Sequence, residues 1–227
     1  MNTIRRNTMR RNAGGQTKPL CIRRLFAVLC SIAFIIASGC GGGSGAAPTS
    51  TVTLPGIEEM LSDKVLGDPN APVTIIDYSA LTCPHCADFH LNTLPLVKAK
   101  YIDTGKARLV YRDFPFNQAG IIASMLARCS GNTRYFDALE LIYANQASWA
   151  AAADPEVALA NILGMPREQA DACLADQALS DGIQAMEQDG QQRYGVTGTP
   201  TFIINGQKIV GDQPFAVFDE VLGALAP

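Results

Sequence analysis

The residues in this chain best placed for chemistry are Cys83-Pro84-His85-Cys86. Two cysteines separated by two residues can close a disulfide. A thiolate on the first can then attack, or surrender, a bond to another protein's sulfur. Two other uses of such a pair have to be weighed. A zinc site wants four ligands, and Cys83, Cys86 and His90 supply three. A purely structural bridge between residues this close in sequence closes too small a loop to stabilise much. Redox exchange is the preferred reading. His85 reads as a cation or donor favouring thiolate at Cys83, or as a solvated histidine at a helix start. Asp77, six residues before Cys83, reads either as a buried carboxylate able to take the proton of Cys86 or as a solvent-facing strand residue.

These residues need a strand before them and a helix after them. Val73-Thr74-Ile75-Ile76-Asp77-Tyr78 is β-branched, aromatic and mostly apolar, the composition of a buried strand. From Ala87 to Val97, Phe89, Leu94 and Val97 recur at near-helical spacing, with Pro95 expected to kink the helix. Cys83 then falls at a helix N-terminus, where unpaired N–H groups and the dipole favour a thiolate. Upstream, Ile57 to Leu61 suits a short helix, and Leu66-Gly67-Asp68-Pro69-Asn70-Ala71-Pro72 is a turn cluster. Thr104-Gly105-Lys106 closes the active-site helix, and Ala107 to Arg112 reads as a second strand.

Residues 117–194 have no strand character and predict a block of four or five helices. Asp154-Pro155 starts one that Gly164 stops, Pro166 opens the helix carrying Cys173, and Ser180 caps one ending near Tyr194-Gly195. Trp149 reads as core packing. A strand then returns at Thr201 to Ile204, with Asn205-Gly206 as a hairpin turn and Gln207 to Val210 as the return strand. A closing helix carries Phe215, Val217, Phe218, Val221 and Leu222. A βαβ half and a ββα half flanking a helical insertion predict an α/β chain: a thioredoxin fold interrupted by an inserted helical domain. The expected parts are a leader at 1–39, a tether at 40–63, thioredoxin halves at 64–116 and 195–227, and the insertion at 117–194.

Charge and cysteines bound the setting. Residues 1–39 hold seven of the 18 basic residues and none of the 21 acidic ones. The remainder has 11 basic against 21 acidic residues, a net charge of −10, which argues against a nucleic-acid partner. Leu25 to Ser38 is an apolar run of 14 residues, short for a membrane span and suited to a secretory signal. Ile36-Ala37-Ser38-Gly39-Cys40 resembles a lipoprotein box, with Cys40 the acylated residue and Gly41 to Gly45 a flexible tether. Plain cleavage near Ala46-Ala47 and an uncleaved anchor are the alternatives. Either cleavage route predicts a periplasmic or cell-envelope protein, the first one lipid-anchored. Of seven cysteines, Cys83, Cys86, Cys129 and Cys173 remain in the body, an even set for an oxidising compartment. A Cys129–Cys173 bridge would be structural and worth roughly 4 kcal/mol on the chain-entropy model, or else a second redox-active pair.

One more motif is Gly198-Thr199-Pro200-Thr201-Phe202, a proline at the head of a strand, where it cannot donate a ladder hydrogen bond. In a thioredoxin fold this proline is cis and faces the cysteine pair, and the residue before it offers its backbone to an extended peptide. With Gly67 to Val73, Tyr111-Arg112-Asp113-Phe114-Pro115 and Ile204-Asn205-Gly206, the chain over about residues 64–226 resembles DsbA-family thiol:disulfide oxidoreductases. Ala123 to Cys129 and Ala172-Cys173-Leu174 resemble the branch with an extra disulfide in the helical domain. The resemblance implies Cys83 as nucleophile, Cys86 as resolving thiol, Pro200 as the cis-proline and no cofactor. It also implies reduced exported proteins as clients and a DsbB-like membrane oxidase as the recharging partner. Thr199 stands where the best-known members carry Val. An isomerase or reductase on the same fold, and a metal carrier, are the rival functions.

Overall fold

The structure, a computed structural model, describes residues 53–225. Five strands form one sheet in the order β1-β3-β2-β4-β5. β2 (Val73–Ser79) lies at the centre. It pairs in parallel with β3 (Ala107–Asp113), Asp77 opposite Tyr111, and antiparallel with β4 (Thr201–Ile204), Asp77 opposite Phe202. β4 continues into β5 (Gln207–Val210) through Asn205 and Gly206, both at positive φ as that hairpin turn requires. The far edge is β1 (Lys64–Leu66), antiparallel to β3, a strand too short for the sequence to announce.

Alternation along β2 divides the core. Val73 and Ile75 face the main cluster, while Tyr78 joins Phe114, Val196 and Ile203 on the opposite side. α1 (Ile57–Leu61) forms as expected, and Met60 is buried with its Sδ 3.5 Å from Cys129 Sγ. Part of the segment expected as a tether is therefore packed into the body.

The active-site helix is a composite. α2 (Pro84–Asp88) passes through a π-helical turn (Phe89–Thr93) into α3 (Leu94–Val97), followed by a second π turn (Lys98–Ile102). Pro95 lacks an N–H and its ring crowds the preceding turn. A wider turn lies just before it, and helical structure continues through Pro95.

Between β3 and β4 lie six α-helices: α4 (Gln118–Cys129), α5 (Tyr135–Ala144), α6 (Gln146–Ala150), α7 (Pro155–Leu163), α8 (Arg167–Leu174) and α9 (Gln177–Tyr194). α7 is capped by Asp154 and stopped by Gly164 in the left-handed region, as read from the sequence. α9 starts earlier than expected. Asp176 accepts from Leu179 N at 3.0 Å, which leaves Ser180 inside the first turn rather than at the cap. The unexpected sixth helix is the short α6, whose Trp149 is fully buried. α10 (Phe215–Leu225) closes the body with Phe218 and Leu222 buried. Among the described residues no helix is long and apolar enough to cross a membrane.

Candidate active site

Cys83 caps α2 in an extended conformation, and Pro84 occupies the first helical turn, where its missing N–H costs nothing. The sulfur of Cys83 is half-buried, and its thiol points at the Thr199 carbonyl, 3.4 Å away. The Thr199–Pro200 peptide is cis. Gly211 N donates to Pro200 O at 2.8 Å and fixes the loop from the other side. The two motifs that the sequence set apart by more than a hundred residues thus meet. The Thr199 hydroxyl is buried and unpartnered among the described residues.

Cys86 lies fully buried on the inner side of α2, with Ala80 N donating to its sulfur at 3.5 Å. Both cysteines are free thiols in this structure. Their environments are opposite. Cys83 is lowered to about 5, first by the hydrogen bond from the Cys86 thiol, against a burial penalty, and further by the backbone N–H groups of Cys86 and His85. Cys86 is raised, first by burial and then by its hydrogen bond to Cys83. Deprotonation is thereby concentrated on the outer, accessible sulfur. Pro84 and His85 are exposed beside it.

Asp77 is fully buried rather than solvent-facing. Its partner is His90, whose Nε2 lies 2.7 Å from Asp77 Oδ2. Ser79 Oγ donates to the other carboxylate oxygen. His90 stacks on Tyr143 of α5 with ring centroids 4.7 Å apart, and Tyr143 shares a hydrogen bond with Tyr111 at 3.1 Å. His90 had entered the sequence reading only as a third metal ligand beside the cysteines. Among the described residues no group of three or more such side chains converges. Gln146 was missed altogether. At the head of α6 it donates to the carbonyls of Leu81 at 2.8 Å and Cys83 at 3.0 Å, pinning the active-site loop to the helical block.

Cys129 and Cys173 form a disulfide that ties α4 to α8, with Cα atoms 6.2 Å apart. Cys40, the leader and its proposed lipid lie outside the described residues.

A central β2 flanked by β3 and β4, a C-x-x-C at a helix start and a facing cis-proline define a thioredoxin-fold protein carrying a helical insertion. A family model described as Thioredoxin matches residues 60–224. The Wolbachia pipientis alpha-DsbA1 crystal structure is 32% identical, with a TM-score of 0.67, covering 72% of this chain and 90% of that one. The chain therefore belongs to this thioredoxin family and, within it, to the DsbA family. A Rickettsia bellii protein named "Putative protein-disulfide oxidoreductase" is 32% identical over 149 residues, 64% of this chain. The chain spans 58% of that relative's own length. BdbD from Bacillus subtilis, 18% identical with a TM-score of 0.65, shares the fold.

Proposed function

We propose that this chain is an exported thiol:disulfide oxidoreductase that donates the Cys83–Cys86 disulfide to reduced client proteins. One observation carries the reading: the half-buried Cys83 is held near 5, at a helix start facing a cis peptide, while its buried partner is held as a thiol. A site that stabilises its own thiolate stabilises the reduced state, and so gives up its disulfide readily.

The exchange proceeds in two displacements. A client thiolate attacks Cys83 Sγ. The new S–S bond forms as the Sγ–Sγ bond breaks, and the electron pair leaves on Cys86, which takes a proton. A second client thiolate then attacks the client sulfur of the mixed disulfide. The client disulfide forms and Cys83 departs as a thiolate. Of the two client protons, one remains on Cys86 and one goes to water. The Thr199 backbone beside Pro200 offers the client an extended, strand-like docking edge. Val210, exposed and paired in register with Thr201, extends that edge with an apolar surface. A quinone-linked membrane oxidase resembling DsbB returns the pair to the disulfide. Export follows the leader pattern of residues 1–39, and Cys40 is the proposed lipid attachment.

Cys83→Ser should abolish oxidation of a reduced test protein, and Cys86→Ser should accumulate a client linked through Cys83. Full oxidising activity in Cys83→Ser would end the proposal. The equilibrium of the pair with glutathione separates an oxidase from an isomerase or reductase, the latter holding its disulfide more tightly.

A further inference from the structure

The loop that carries the nucleophile from β2 into α2 is tied to the helical block through its carbonyls. Tyr143 Oη, in the last turn of α5, donates to Ala80 O at 3.4 Å. Gln146 Nε2, at the head of α6, donates to Leu81 O at 2.8 Å and to Cys83 O at 3.0 Å. Within the loop, Cys83 N donates to Ala80 O at 3.0 Å, and Ala87 N donates to Cys83 O at 3.1 Å, the first bond of α2. The peptide units before and after Cys83 are thus both held, and one half-buried amide spans two carbonyls of the loop.

We propose that Gln146 is a positioning residue: by clamping the Leu81 and Cys83 carbonyls it holds the Cys83 sulfur under the first N–H groups of α2, and so helps set how strongly the Cys83–Cys86 pair oxidises. The inference rests on the exchange chemistry proposed above and deepens it. Cys83 caps α2 in an extended conformation, with ψ at 120°. That torsion orients the Cys83 side chain against the helix that follows. The N–H groups of His85 and Cys86 serve the sulfur while that orientation is kept. α2 runs five residues before the π turn, so it supplies little rigidity of its own. Ala87 fixes the Cys83 carbonyl to α2 alone. Gln146 fixes the same carbonyl to the block and to Leu81, two residues back. Without that second hold, the loop can turn about Cys83 and carry the sulfur off the N–H groups. A thiolate placed less well is less stable, while the disulfide has no charge to lose, so the reduced state suffers more.

The charged groups around this sulfur are His85, Asp88 and Asp212. Beneath it Cys86 is held as a thiol, and on the block Tyr143 is held well above the ordinary tyrosine value by burial and stays neutral. Gln146 is itself neutral and its two bonds go to carbonyls, so an uncharged replacement leaves the fields of these groups in place.

Gln146→Met keeps the length of the side chain and removes both donors. Thiolate absorbance is followed in the full chain with the Cys83–Cys86 pair reduced. The step near about 5 belongs to Cys83, because ordinary thiols ionise near about 8.5. In Gln146→Met that step should move up by about half a pH unit or more, a factor of about three. The equilibrium with glutathione at neutral pH should move about threefold towards the retained disulfide. A glutamine acting on stability alone would lower the urea midpoint and leave both readings in place. That result overturns the inference, as does movement of one reading without the other, or movement in the opposite direction. If Gln146→Met does not fold, Gln146→Asn decides on the same two readings, since a side chain one methylene shorter cannot span both carbonyls. Neither reading needs a client, so this inference can fail while client oxidation stands, and the reverse.

Discussion

Two sulfurs three residues apart meet opposite surroundings, and that asymmetry has a consequence for stability. Cys83 is lowered from about 9 to about 5, whereas Cys86 is raised. A group whose folded value is depressed contributes stability that is complete above its unfolded value and is lost as pH falls through the folded one. The reduced protein should therefore gain stability over its disulfide form as pH rises from about 5 towards 9. Cys86 opposes this only above about 9, where the unfolded thiol would ionise and the buried one would not. Melting temperatures of the two forms measured between pH 4 and 9 check this. A difference that stays flat across that range contradicts the assignment. Much of this site is legible in the residues themselves: the C-x-x-C, its place after a strand, and a proline heading another strand. The burial of Asp77 stayed open in the sequence; the structure puts it in phase with Val73 and Ile75 on the apolar face of β2. Its pairing with His90 was not, since nothing in sequence spacing says which helix residue crosses to a given strand position.

At the scale of elements, α9 approaches the centre of the sheet closely at a glycine. A Cβ at Gly190 would stand 2.6 Å from the Tyr78 ring. Tyr78 is buried against Phe114 and Tyr194 and has nowhere to turn. Gly190→Ala gains a better helix former on an exposed scale, yet here the overpacking dominates, at a cost of about 1 to 3 kcal/mol. Urea unfolding should show that loss, and a neutral or stabilised variant would mean α9 can slide off the sheet. The order of strands and helices was readable because turn residues and caps are local signals: Asp154-Pro155, Gly164 and Asn205-Gly206 each act on their immediate neighbours. What escaped depends on distant partners. β1 is three residues long and exists because β3 offers it an edge. Ser180 reads as a cap in the sequence, yet Asp176 takes that place. The choice between them follows from where the chain leaves α8, which local sequence does not specify.

Across the whole molecule, the helical block roofs the site. Residues between Cys129 and Cys173 include Tyr143, which stacks on His90, and Gln146, which holds the carbonyls of Leu81 and Cys83. The Cys129–Cys173 disulfide closes that stretch with a sequence separation of 44. On the chain-entropy model such a loop stabilises the folded state by about 4 kcal/mol, through the unfolded chain rather than through any contact at the sulfurs. Both cysteines are fully buried, so replacing them also leaves small voids. Cys129→Ala/Cys173→Ala should then lose about 2 to 5 kcal/mol in urea unfolding. Reducing the parent's bridge under denaturant, refolding without oxidant and comparing it with the parent reduced only at Cys83–Cys86 isolates the loop contribution, because the sulfurs stay in place to pack. If the bridge acts on the unfolded chain, the reduced parent should lose most of what the double variant loses. A reduced parent as stable as the oxidised one would instead assign that loss to packing around the two sulfurs.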